Sequence, residues 1–93
     1  MLIMKKVIIS IVGKDTVGII ARTATYLSKA NVNILDISQT VVQGYFHMMM
    51  IVDVAKCKTP FAQFAAEVIA LGSEIGVDVR VQKSEIFEKM HRV

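Results

Sequence analysis

Residues 13–19, GKDTVGI, form the stretch whose residue types and spacing best suit the binding of a small ligand. They follow the apolar run VIISIV and precede a segment with helical periodicity, which predicts a turn between a central strand and a helix. A helix N-terminus exposes free backbone amides that favour an anion such as a carboxylate. Gly13 and Gly18 let a ligand approach the backbone, and Asp15 can pair with an ammonium, so an α-amino acid would suit the turn.

The same seven residues also fit a plain tight connection. In that interpretation Asp15 or Thr16 caps the helix and Gly18 packs against the sheet. The stretch lacks the G-x-G-x-x-G pattern of a dinucleotide site, so no nucleotide cofactor is expected.

Other reactive residue types give weaker signals. In GYFHMMMI, residues 44–51, three methionines and a histidine could suit a soft metal ion. Strand alternation puts Met48 and Met50 opposite His47 and Met49, which favours core packing over a metal site. Cys57 has no C-x-x-C partner, and neither histidine has a nucleophile nearby in sequence. An acylphosphatase-like enzyme would need an arginine in the first turn, where only Lys14 occurs, so we expect neither an enzyme nor a cofactor.

The elements that position these residues follow from periodicity and turn chemistry. Asn31 is predicted to end the first helix in a left-handed conformation, and Gly76 to end the second. Adjacent Ile34 and Leu35 indicate either a bulge or a strand with two buried faces, and Gln43-Gly44 suits a two-residue hairpin. We expect strands over 7–12, 32–42, 45–54 and 77–82, and a tail helix over about 85–92. The second helix is expected to have Thr59 as its cap and Pro60 at its first helical position.

This order, βαββαβ plus a tail helix, predicts an α+β fold. Right-handed crossovers make it a ferredoxin-like sandwich, with a four-stranded antiparallel sheet and two helices on one face. The 93 residues are expected to form a single domain, 1–93, with a core over about 5–84.

Composition restricts the class of protein. A hydrophobic content of 54% is rich for so short a chain, which favours burial of apolar surface against a second copy. The net charge of +3 comes from scattered basic residues, and VIISIV lacks the aromatics of an RNA-binding sheet, so no nucleic-acid partner is expected. One cysteine and no apolar stretch of membrane-spanning length predict a cytoplasmic protein without a membrane partner.

The residues VIISIVGKDTVGIIARTATYLSKANVNILDISQTVV resemble the opening half of an ACT domain. The likeness rests on a strand, a G-x-D-x-x-G-I turn, a helix and an A-N-V-N-I entry to the second strand, and it extends through IFEKMHRV. It looks closest to small stand-alone ACT proteins and to the ACT domains of the glycine cleavage system transcriptional repressor. The chain departs from a common family pattern at Val17, where many members have proline.

The resemblance implies a regulatory module that binds an amino acid or similar metabolite where two copies of a homo-oligomer meet. Asn33 has a side-chain amide that can both donate and accept hydrogen bonds; the alternative is an ordinary edge-strand residue. A different function left open is a ligand-free assembly module that regulates a protein partner. The candidate ligand-binding residues that the resemblance implies are Gly13, Lys14, Asp15, Thr16, Val17, Gly18, Ile19, Asn31, Val32, Asn33 and Ile34.

Overall fold

The computed structural model describes residues 5–14 and 18–84, and this part of the chain has the order βαββαβ. The sheet order is β2-β3-β1-β4 with antiparallel neighbours, which confirms the predicted ferredoxin-like α+β fold. The predicted tail helix over 85–92 lies outside the described residues, as do positions 15–17. The strands and helices are β1 (Lys6–Lys14), α1 (Ile19–Lys29), β2 (Asn33–Val42), β3 (Tyr45–Asp53), α2 (Phe61–Ile75) and β4 (Asp78–Lys83).

The core lies between the sheet and the two helices. Strand β3 alternates as predicted: Phe46, Met48, Met50 and Val52 are at most 5% exposed, whereas His47 is exposed. Helix α2 packs on the same core through Phe64, Val68 and Gly72, which are its buried residues. The methionines of β3 therefore fill the interior.

The predicted bulge and chain reversals are confirmed. Asn31 has φ 60 and follows α1, and Gly76 has φ 95 and ends α2. Gln43 and Gly44 both have positive φ, as a tight hairpin between twisted strands requires. The register of β2 against β3 shifts between Ile34 and Asp36, so Leu35 is the bulged residue.

Both helix starts differ slightly from the prediction. Helix α1 begins at Ile19, and its N-cap is Gly18 rather than Asp15 or Thr16, because Gly18 adopts a left-handed φ of 93 at the boundary. Helix α2 begins at Phe61 with Pro60 as its N-cap, because the ψ of 150 at Pro60 is extended. Neither N-cap makes a side-chain hydrogen bond.

The two edge strands have different surfaces. Strand β4, DVRVQK, carries three charged residues among six, a pattern that discourages pairing with another strand. Strand β2, NILDISQTVV, has ten residues, and its only charge is Asp36. Nine of its positions are exposed, including Val41 at 55%. Among the described residues, strand β2 is thus the longer and less charged edge of the sheet.

Within residues 5–14 and 18–84, no helix is long and apolar enough to cross a membrane.

Candidate functional site

The described part of the predicted ligand turn lies where β1 meets β3. Gly13 pairs with Phe46 and Lys14 with Tyr45, at the first residues of β3. Ile19, which follows the turn, is 2% exposed and belongs to the core. Its side chain is therefore occupied by packing, and only its backbone is available to a ligand.

The two glycines of the turn, Gly13 and Gly18, differ in what surrounds them. A Cβ at Gly13 would lie 2.8 Å from Val77 Cγ1, so close packing against the residue before β4 requires glycine there. Gly18 has φ 93, and no described neighbour lies within 4 Å of the position of a Cβ. Among the described residues, nothing therefore packs against the Cβ position of Gly18.

The second predicted segment, residues 31–34, follows the other end of α1. Asn33 pairs with Asp53, the last residue of β3. Val32 is 7% exposed and its amide donates to the Leu27 carbonyl at 2.9 Å. The side chains of Asn31 and Asn33 are exposed, so they are the polar groups that this segment offers to a ligand.

The described residues of the two predicted segments lie far apart within one chain. They lie at opposite ends of the sheet and at opposite ends of α1, whose 11 residues span about 16 Å. A site that uses both segments therefore needs a second copy of the chain, placed so that its turn reaches the 31–34 segment.

Residues 31–34 line a shallow depression of about 400 Å³ between α1 and β2. Its polar groups include Asn31, Asn33 and the ammonium of Lys56. The sequence analysis missed Lys56, because the loop after β3 is brought to this end of α1 only by the pairing of β2 with β3. The complete lining is Ala24, Leu27, Ser28, Asn31, Val32, Asn33, Ile34 and Lys56.

The opposite side of α1 is fixed to α2. The Tyr26 hydroxyl donates a hydrogen bond to Glu67 Oε1, and the rings of Tyr26 and Phe64 are 6.2 Å apart between centroids. Burial, followed by this bond, raises the pKa of Tyr26, and the bond lowers the pKa of Glu67. Because α2 holds this side, Ala24 and the C-terminal end of α1 are left facing the depression.

The histidine and methionine run does not form a metal site in the described ranges. No group of three or more His, Cys, Asp and Glu residues within them could hold a metal ion. Met48 and Met50 are fully buried on the helix side, and His47 lies on the other face of β3.

Comparisons of this chain with known proteins agree on one family. A family model described as an ACT domain matches residues 5–82. A UPF0237 protein from Bifidobacterium longum is 58% identical over 90 residues, which cover 97% of this chain and 100% of the relative.

Two solved structures share the fold. An ACT domain protein from Streptococcus pneumoniae superimposes with a TM-score of 0.80 at 39% identity, covering 91% of this chain and 96% of that one. A protein described as a glycine cleavage system transcriptional repressor gives a TM-score of 0.74 at 18% identity, over 88% of this chain and 47% of its own. The resemblance expected from the first turn and the second strand is confirmed, and the chain belongs to the ACT domain family.

Proposed function

We propose that the protein is a cytoplasmic, homodimeric regulatory domain that binds an amino acid or a similar small metabolite where two copies meet. Membership of the ACT family supports the regulatory role. The dimer and its ligand site are proposed from one observation, the exposed edge formed by β2 and the adjacent side of α1.

The β2 edge has the surface expected of an interface between two copies. Ile37 pairs with Met50 and Val41 with Phe46, so both face the helix side of the sheet, yet they are 43% and 55% exposed. Ile20 on α1 is exposed to a similar degree, at 43%. Antiparallel pairing of β2 with its copy would satisfy the free strand edge and cover these side chains.

That arrangement supports a composite ligand site. In a twofold dimer that pairs β2 with β2, the start of one β2 lies beside the end of the other. The end of β2 is next to Tyr45 and Lys14, where the turn begins. The start of the turn in the second copy, at Lys14, would thereby lie on the side of the depression at residues 31–34 of the first.

The chemistry of the two halves suits an α-amino acid. Lys56 and the Asn33 amide can bind a carboxylate, and the amide oxygen of Asn33 can accept from an ammonium. The turn contributes Asp15, whose negative charge also suits an ammonium. The backbone amides near Gly18 add donors at the start of α1.

The second candidate is an assembly module without a ligand. The depression at residues 31–34 is open, and the β2 edge is apolar. If side chains of a second copy fill the depression, no space remains for a ligand and the domain is an assembly module. Such a domain would regulate a protein partner through its surface.

A melting-temperature screen against the twenty amino acids and common metabolites tests the proposal, because a ligand of the native state raises the melting temperature. We expect a rise with one ligand or a few related ones, lost in Asn33→Ala and Asp15→Ala. Gln82→Ala, which removes an exposed amide on the far edge strand β4, should retain it. Absence of any rise would favour the assembly module, whereas a rise that survives Asn33→Ala would place the ligand elsewhere.

A further inference from the structure

A second cavity, separate from the depression at residues 31–34, lies between the start of β1, the end of β4 and the start of α2. It encloses about 350 Å³, which is within the size range of small-molecule sites. Among residues 5–14 and 18–84, its lining combines apolar side chains with three lysines and no carboxylate. The lining residues are Lys5, Val7, Val54, Cys57, Lys58, Thr59, Pro60, Phe61, Phe64 and Lys83.

The apolar part of the cavity is continuous with the protein core. Phe64 and Val7 are 1% and 2% exposed, and both belong to the main buried cluster. Phe61, Val54 and Cys57 are partly buried and pack against that cluster. A ligand entering here would meet a hydrophobic floor rather than polar backbone.

The cationic part comes from three distant segments of the chain. Lys5 precedes β1, Lys58 lies in the loop before α2, and Lys83 ends β4. The Nζ of Lys83 lies 5.0 Å from the centroid of the Phe61 ring, so this ammonium is held over the cavity by a cation–π contact.

The Asp53 carboxylate, which lies beside Lys5, accepts its hydrogen bonds from backbone amides and not from the ammonium groups of this cluster. Asp53 Oδ1 accepts from the backbone amides of Lys5 and Ala55, at 3.1 and 3.0 Å. Within the described residues, no carboxylate forms an ion pair with these lysines. The ion pair found there joins Arg22 to Glu74. The first turn of α2 carries no acidic residue, so its free amides add to the positive potential.

We propose that this cavity is a second binding site, which takes a small organic anion with an aromatic or aliphatic body. The anionic group would lie among Lys5, Lys58 and Lys83, and the apolar body would rest on Phe61 and Phe64. Neither part of such a ligand would be held as well by the depression at residues 31–34, which has a single lysine and is shallower.

Phenyl phosphate is a suitable probe because it combines an anionic group with an aromatic body. Titration followed by the backbone amide resonances of the ¹⁵N-labelled full chain should move the signals of Cys57, Lys58, Thr59 and Phe61 most. Inorganic phosphate and benzyl alcohol, which each supply one part, should bind more weakly than phenyl phosphate. Phenyl phosphate should also slow alkylation of Cys57, the only cysteine in the chain, by iodoacetamide.

Two neighbouring lysines provide a matched pair of variants. Lys58→Gln removes a cation from this cavity and should weaken phenyl phosphate binding about fivefold, the upper range for an exposed ion pair. Lys56→Gln removes the same charge two residues away, where the side chain lines the other depression, and should change binding less than twofold. Equal weakening by both variants, or resonance changes spread over lysines across the surface, would overturn the proposal.

Discussion

Gly72 in α2 and Val79 in β4 lie so close together that a Cβ at position 72 would overlap the Val79 Cγ2 methyl. Val79 is 7% exposed, and Gly72 is one of the buried residues of α2. The glycine therefore lets the helix rest directly on the edge strand, although glycine is unfavourable within a helix. This contact brings β4, and with it Lys83, against α2.

The Gly72 contact predicts a stability loss that a second substitution relieves. Gly72→Ala should lower the free energy of unfolding by about 1–3 kcal/mol, because overpacking outweighs the gain in helix propensity. Val79→Ala should cost about 2 kcal/mol by removing two buried methyl groups. In the double variant the new methyl occupies the vacated space, so the two losses should not add.

Urea unfolding of the wild type, both single variants and the double variant measures this coupling. The double variant should be at least about 1 kcal/mol more stable than the sum of the single effects indicates. Strict additivity would show that Gly72 is needed for a reason other than its contact with Val79.

Local patterns were enough to predict the elements of this fold. The alternation of β3, the glycine at 76 and the Gln43-Gly44 pair each depend on neighbours in sequence. Adjacent Ile34 and Leu35 predict a bulge or two buried faces, because successive residues of a regular strand face opposite sides. The shift in the β2–β3 register shows that the bulge is the correct alternative.

The candidate site was less accessible to sequence reasoning, because its geometry depends on strand pairing. Gly13 has the appearance of a ligand-approach glycine, but its close neighbour is Val77, which is 64 positions further along the chain. Lys56 joins Asn31 and Asn33 only through the β2–β3 register. Likewise, no local motif brings together Lys5, Lys58 and Lys83, because each belongs to a different segment.

The proposed dimer predicts that two isoleucines with equal exposure respond differently to substitution. Ile37 on β2 and Ile69 on α2 are both 43% exposed. Ile37→Lys places a charge in the proposed interface and should convert a dimer, twice the 10.3 kDa chain mass, into monomers. Ile69→Lys should leave the dimer intact.

Light scattering coupled to size-exclusion chromatography distinguishes these results through the molar mass. A monomeric wild type, or dissociation by Ile69→Lys with no effect of Ile37→Lys, would contradict the pairing of copies along β2. Circular dichroism of each variant checks that the fold is retained.

The bond from Tyr26 to Glu67 predicts a pH-dependent contribution to stability. Because the bond lowers the pKa of Glu67 in the folded protein, its contribution is present above the unfolded pKa of about 4.5 and is lost as pH falls through the folded value. The raised pKa of Tyr26 acts at the other end of the range: its contribution is complete below about pH 10 and is lost at higher pH.

Tyr26→Phe removes the bond and keeps most of the ring packing against Phe64. The variant should be slightly less stable than the wild type at pH 7, and the difference should shrink on acidification below about pH 4.5. Urea midpoints at pH 7 and pH 3 measure it. A difference that stays constant between these pH values would mean that the hydroxyl stabilises the fold without help from the Glu67 charge.

Lys56 and Lys58 predict that the two proposed sites can be impaired independently. The first lines the depression with Asn31 and Asn33, and the second lines the cavity at the start of α2. Lys56→Gln should reduce the melting-temperature rise given by the amino acid or metabolite and spare phenyl phosphate binding. Lys58→Gln should do the opposite, because each of the two lysines lines only one of the two sites.

The paired measurement keeps the two proposals separate. If no metabolite raises the melting temperature but Lys58→Gln alone weakens phenyl phosphate, the organic-anion site stands and the composite site at residues 31–34 does not. If both variants reduce both responses equally, the lysines act only through net charge, since removal of either one lowers the formal charge from +3 to +2. Selective loss in both directions would establish two ligand sites, one at the depression of residues 31–34 and one at the start of α2.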